Sequence, residues 1–383
     1  MFASITRAVC AVTAVGALSA VALPGAPGAA ATATRTCAPA GVTAYVGSGG
    51  GFTGPQTLIP INTTTNKAGK KINLNVRAET GPIAITPDGK TIYVLSASPG
   101  TVTPVSTCTR TAQRPIHAGH QPDAIAITPD GKIAYVTNAG SDTVTPIRTS
   151  ANIALAPIHA GRHPAAIAIT PNGKTAYVVN TYGNSVTPIR IATNTALKPI
   201  NVGKGPTAIA ITPDGKTAYV SHINGNTVTP VSIATNTALT PIPVGSNPWR
   251  IAITPDGRTA YVTHRTPSSV VTPIRIATNT ALTPIEVGEN ESITITPDGR
   301  TAYVTSFGGS SVTPIDIATN TALAPIRTGS FAVAVAITPD GKTAYVVSWG
   351  GVTPILTATN TKLKNINIGG PLSYIAITPP PRA

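Results

Sequence analysis

The chain has 383 residues, of which 42% are hydrophobic, 10% charged and 4% aromatic, with 35 glycines, 37 prolines and a formal net charge of +14. That much Gly and Pro between regularly spaced apolar runs excludes a helical bundle or a disordered chain and points to short strands joined by tight turns. The basic excess reads first as a solvated surface without a specific partner, with an anionic partner such as a cell-wall polymer as the alternative.

Residues 1–31 read as a secretory signal. Arg7 supplies the positive region, an apolar run extends from Ala8 to Leu23, and small residues around Ala29, Ala31 and Ala33 offer cleavage sites. The run is short for a bilayer span and breaks at Pro24. The expected product is secreted or cell-surface associated, without a membrane span after signal removal, and monomeric. Residues 32–41 form a short N-terminal segment. Cys10 leaves with the signal, so Cys37 and Cys108 remain. A disulfide between them and two unpaired thiols are both open, because spacing alone does not give the distance.

From residue 42 a 42-residue block recurs. Pro-Asp-Gly or Pro-Asn-Gly begins at Pro87, Pro129, Pro171, Pro213, Pro255, Pro297 and Pro339, and each is followed by Ala-Tyr-Val or Ile-Tyr-Val. Repeats of this length must stack to bury their apolar faces. In the unit from Ile209 to Gly245, strand A is expected over Ile209–Thr212, B over Thr217–Ser221, C over Thr227–Ile233 and D over Ala238–Val244. Pro213-Asp214-Gly215 turns A into B, and Asn236 marks the C–D turn. Strand A alternates Ile and Ala with both faces apolar, as a doubly buried strand should. Pro230 and its equivalents fall inside strand C, which predicts a bulge there or hydrogen bonding lost on one side.

The fold class is therefore all-β, a β-propeller of four-stranded antiparallel blades. Seven complete units begin at Ile83, Ile125, Ile167, Ile209, Ile251, Ile293 and Val335. The N-terminus supplies B, C and D (Thr43–Val46, Leu58–Asn62, Ile72–Val76), and the C-terminus an orphan A, Ile375–Thr378. Pairing of these terminal strands makes eight blades over residues 42–379, with seven as the alternative; residues 380–383 are a tail.

Tyr135-Val136-Thr137-Asn138 spells YVTN within a unit that starts Thr-Pro-Asp-Gly-Lys, and Ile-Ala-Thr-Asn-Thr runs such as Ile191–Thr195 follow. These motifs resemble the YVTN-repeat β-propellers, related to YncE-like and archaeal surface-layer proteins. The resemblance covers residues 42 to 379 and departs from the family at the Thr-Pro-Ile of strand C. It implies an exported or surface-exposed binding module; some related seven-bladed propellers are lactonases.

In a meander, the A–B and C–D turns share one face, and the B–C and D–A loops share the other. The first set is uniform between repeats, whereas the second varies, and recognition is built on variable loops over a rigid scaffold. The B–C loops are expected to carry Asn138, Asn180, Tyr182, His222, His264, Arg265, Phe307 and Trp349. The D–A loops carry His120, Arg162, His163, Lys204, Trp249, Arg250, Glu289, Glu291 and Phe331. The candidate binding residues are Tyr182, His222, Trp249, Arg250, His264, Arg265, Glu289, Glu291, Phe307 and Trp349. The densest group, His222, Trp249, Arg250, His264, Arg265, Glu289 and Glu291, falls on neighbouring blades.

Three functions follow. The first is a non-enzymatic binding or scaffold protein for a protein or small ligand. The second is a lactonase-like hydrolase around His264, Glu289 and Glu291. The third is a structural surface protein held to anionic wall polymer, with Lys67, Lys70, Lys71, Lys362 and Lys364 near the ring closure. No catalytic residue, cofactor or metal is assigned, because no HExxH, His-x-His, calcium-loop, Walker, Rossmann or nucleophile-elbow motif occurs. Specific nucleic-acid binding is disfavoured, since aromatics do not interleave with the lysines.

Overall fold

The computed structural model describes residues 41–49, 55–77, 81–265, 269–289 and 292–380. Residues 1–40, with the expected signal and Cys37, and Glu291 lie outside them. The described residues form eight antiparallel sheets and no helix. The sheet of the representative repeat runs in the order A (Pro206–Ile211), B (Thr217–His222), C (Thr227–Ser232) and D. D comes in two pieces, Thr237–Ala238 and Ile242–Pro243, both paired with C.

The chain ends close the ring. B of the first blade (Thr43–Ser48) pairs with the last strand, Leu372–Ile377, placing Tyr45 opposite Ala376. The Thr43 N–H donates to Thr378 Oγ1 at 2.9 Å, and the Thr378 N–H returns a bond to the Thr43 carbonyl. Eight blades are thereby complete. Counting from this composite blade, the representative repeat is blade 5.

One strand expectation needs correction, and the strand-C proline takes the second of its two expected forms, with hydrogen bonding lost on one side. Strand A starts at Pro206 rather than Ile209, with an irregularity between Pro206 and Ala208, because B continues to His222 and offers it a pairing partner. The strand-C proline does not bulge its own strand. Its register against B is unbroken, with Tyr219 opposite Pro230. The Pro230 carbonyl points outward and accepts from Leu239 N–H at 2.8 Å, so the missing donor also faces D. There D absorbs the defect: Val231 is opposite Ala238 and Val228 opposite Ile242, three steps along C against four along D. The extra residue splits the outermost strand, where lost pairing costs least.

The core lies between blades. Tyr219, Val228, Ile242 and Val244 of blade 5 pack on Ala260, Val262 and Ile274 of blade 6. The repeat motifs themselves span the junctions. The Tyr219 hydroxyl donates to Asn279 Oδ1 in the next blade's C–D turn at 2.5 Å, and Tyr135, Tyr177, Tyr261 and Tyr303 do the same to Asn194, Asn236, Asn320 and Asn360. Tyr345 reaches Asn66 and so carries this bond across the closure. Each of these asparagines has φ between 51° and 54°, a left-handed conformation that Asn tolerates. On the same face, a Cβ placed on Gly215 would lie 3.4 Å from the Pro171 ring of the neighbouring turn, and Gly89 meets Pro379 in the same manner.

The composite blade meets blade 2 differently. Arg110, at φ 53°, stands where the other turns carry Asn. Two residues away, Cys108 is disulfide-bonded. Cys37, its expected partner, lies outside the described residues.

Candidate functional site

Hydrogen bonds sort the loops into two faces. Thr149 Oγ1, just after strand C, donates to the Gly131 carbonyl of the A–B turn at 2.6 Å. On the other face, B–C loop N–H groups donate to D–A loop carbonyls: Thr181 to His163, Arg265 to Asn247 and Trp349 to Ser330. This second face carries the non-repeated aromatic and charged side chains.

Three groups form on it. In blade 4, Tyr182 is 64% exposed and stacks on His163, ring centroids 4.3 Å apart and 12° from parallel. Across blades 7 and 8, Phe331 sits between Phe307 and Trp349, 5.0 Å from each, with the Trp349 contact edge-on. Trp349 is 59% and Phe331 39% exposed. Phe331 has φ 55°, a conformation a bulky side chain rarely adopts. Its ring is held on the face at a backbone cost, a pattern that clusters at functional sites.

The third group belongs to blade 6. Trp249 and Arg250, expected in a loop, lie within strand A, Pro248–Ile253. Trp249 is buried to 7% exposure, and its ring holds two guanidiniums, Arg265 Cζ at 4.3 Å and Arg250 Cζ at 4.8 Å from the centroid. Its carbonyl accepts from Ser221 Oγ at 3.0 Å and Thr207 Oγ1 at 3.3 Å, both on blade 5.

The histidines are not loop residues. His222 and His264 end strand B and are fully buried. His264 Nδ1 lies 2.7 Å from the Ser246 carbonyl, which only accepts, so Nδ1 carries the proton. Nε2 lies 2.8 Å from Thr272 Oγ1. Burial holds this imidazole below its ordinary pKa, against the opposing Ser246 hydrogen bond. His264 thus ties the loop leading to Trp249 onto strands B and C. His222 makes no hydrogen bond through either nitrogen, and burial pushes its pKa down to about 4.

The carboxylates go elsewhere. Glu289 is exposed on the blade 7 side, where it packs over Gly308 and lines an open groove of about 610 Å³ with Glu286, Ser306 and Pro325. Glu291 is outside the described residues. Among those residues, no three His, Cys, Asp or Glu side chains gather as a metal site. His264, Arg265, Trp249 and Arg250 do converge; His222 and Glu289 stand apart from them. Sequence reading placed this group on one face, but it missed that His264 is a buttress and that His163 stacks on Tyr182.

Comparisons with known proteins agree with this architecture. Residues 71–158 match the model of the YNCE-like beta-propeller, and residues 147–242 that of the lactonase 7-bladed beta-propeller. No curated protein matches the chain in sequence. Among solved structures, hydrazine synthase of Kuenenia stuttgartiensis is 25% identical, with a TM-score of 0.61 over 75% of this chain and 94% of that one. The dihydro-heme d1 dehydrogenase NirN is 16% identical, with a TM-score of 0.75 over 92% of this chain and 77% of that one. AztD of Citrobacter koseri is 11% identical, with a TM-score of 0.67 over 88% and 98%. At such identities NirN and AztD share the fold alone.

Proposed function

We propose that this chain, a YncE-like β-propeller, is an exported binding or scaffold protein that engages its partner through the B–C and D–A loop face. The observation that carries this reading is the aromatic group Phe307, Phe331 and Trp349, which spans two blades and leaves the Phe331 and Trp349 rings open to solvent. Rigid amphipathic rings give large contact area at low entropic cost. The uniform face, by contrast, spends its motif residues on blade-to-blade contacts. Export rests on the N-terminal signal pattern.

The test is binding of the protein and a Phe331→Asn/Trp349→Ala variant to peptide and glycan arrays. Asn suits φ near 55° and already occupies the equivalent Asn247. Wild-type signals should fall at least about tenfold in the variant, in line with the loss of two aromatic anchors. Equal signals would overturn the reading.

The lactonase match over residues 147–242 makes lactone hydrolysis the second reading. His264 speaks against it as a base, since both ring nitrogens are engaged. Lactone turnover before and after chelator treatment decides the matter; none in either case ends the hydrolase reading.

A further inference from the structure

We propose that Trp249, Arg250 and Arg265 form a binding site for a small oxyanion group, a carboxylate or a phosphate, on the loop face of blade 6. The proposal rests on the loop-face reading and names the chemistry of one part of it.

The site consists of donors without acceptors. Trp249 Nε1 and Arg250 Nη2 are both buried and neither has a hydrogen-bond partner. Among the described residues, the ion pairs are those of Lys132, Lys216, Arg258 and Arg300 with the aspartates of their own turns. Among the described residues, no carboxylate therefore neutralises Arg250 or Arg265. Two guanidiniums at 4.8 and 4.3 Å from one indole centroid concentrate positive charge, which a bound anion would offset. Their planar forks match the paired oxygens of a carboxylate or phosphate, and the indole N–H supplies a further donor. Both arginines are half-buried, so the site opens through their side chains.

Its placement is specific to one blade. At the irregularity between Pro248 and Ile251, the Arg250 N–H donates to Thr263 Oγ1 at 3.1 Å. The equivalent strand-A positions hold Ala124, Ala166, Ala208, Ser292 and Ala334 in five blades, Pro82 in blade 2 and Tyr374 in the composite blade. Blade 6 alone carries a guanidinium there. The scaffold beneath is rigid: blade 5 hydroxyls hold the Trp249 carbonyl, and His264 pins the preceding loop. Such support holds donors in place before a ligand arrives.

Calorimetric titration of the full chain with sodium phosphate and, separately, sodium malonate at constant ionic strength tests the proposal and tells the two sources apart. Saturable binding of at least one anion is expected. It should weaken at least about tenfold in Arg250→Ala and in Arg265→Gln, as loss of a charge-assisted bidentate pair implies. Arg148→Gln, on an exposed strand end of blade 3, should bind as wild type. Arg250→Ala restores the residue that other blades carry, so its fold is safeguarded. No saturation with either anion, or wild-type affinity in both Arg250→Ala and Arg265→Gln, overturns the proposal. If anion binding is absent while array signals persist, this site fails and the loop-face reading stands. Anion binding that survives loss of the array signals supports the site on its own.

Discussion

His222 shows how one side chain can break a local rule that its repeats obey. At the equivalent position, Asn180 Nδ2 donates to Ser185 Oγ at 3.1 Å and to Thr187 Oγ1 at 2.9 Å. Thr227 and Thr229 offer the same hydroxyls to residue 222, yet the His222 ring uses neither. His222→Asn should therefore stabilise the protein by about 1 kcal/mol, the net value of a satisfied buried hydrogen bond, read as a higher urea midpoint at pH 7. The pH dependence has a definite sign. The folded imidazole titrates at about 4 and the unfolded one near the ordinary histidine value of about 6.5. Stability from this group is complete above pH 6.5 and is lost as pH falls through 4, because the unfolded chain takes up the proton first. The variant should lack this part of the acid limb.

At the scale of the element, the Thr-Pro-Asp-Gly turn is a hydrogen-bond motif in which charge is secondary. Asp214 Oδ1 accepts from Thr212 Oγ1 at 2.6 Å and from Lys216 N–H at 3.0 Å. The Thr212 bond is the main reason its carboxyl lies below the ordinary range. In Asp256, partial burial pushes upward, but the combined bonds from Thr254 and Arg258 outweigh it. Asn172 makes the same two bonds without a charge, at 2.7 and 3.0 Å. Asp256→Asn should thus cost under about 1 kcal/mol, whereas Asp256→Ala, which leaves Thr254 and the turn N–H without an acceptor, should cost about 1–2 kcal/mol. Urea midpoints at pH 7 compare the two; equal costs would make charge the operative feature. The strand-C proline works at the same scale: its missing donor is turned to the outermost strand, which breaks around it.

For the whole molecule, Tyr–Asn bonds link neighbouring blades at seven junctions of a ring that pairing of the chain ends closes. Tyr345 to Asn66 links residues 279 apart in sequence. Burial pushes the phenols of Tyr93, Tyr135, Tyr177, Tyr219, Tyr261, Tyr303 and Tyr345 up to about 12. Unfolded phenols ionise near 10, so this stability is complete below pH 10 and is lost as pH rises through 12. A steep alkaline unfolding limb is expected. Tyr219→Phe should cost about 1 kcal/mol at pH 7, and above pH 10 its disadvantage should shrink, because one ionisable phenol is gone. Unfolding curves at pH 7 and 11 check this.

Much of this was legible in the chain. The 42-residue spacing, the orphan strand at the C-terminus and the period-two alternation of Ile and Ala are local signals, and they pointed to eight blades over seven, the strand order, the closure and the division into a uniform and a variable face. Only the tertiary structure decided what those residues meet. The repeated Tyr and Asn look like a strand residue and a turn residue until neighbouring blades bring them together. His264 and Trp249 look like loop residues until strand pairing carries them into the sheet and buries them. Periodicity records which residues lie inside a blade, because it follows from backbone geometry. The partners of each side chain depend on how one blade is rotated against the next, and that rotation is set by packing over the whole ring.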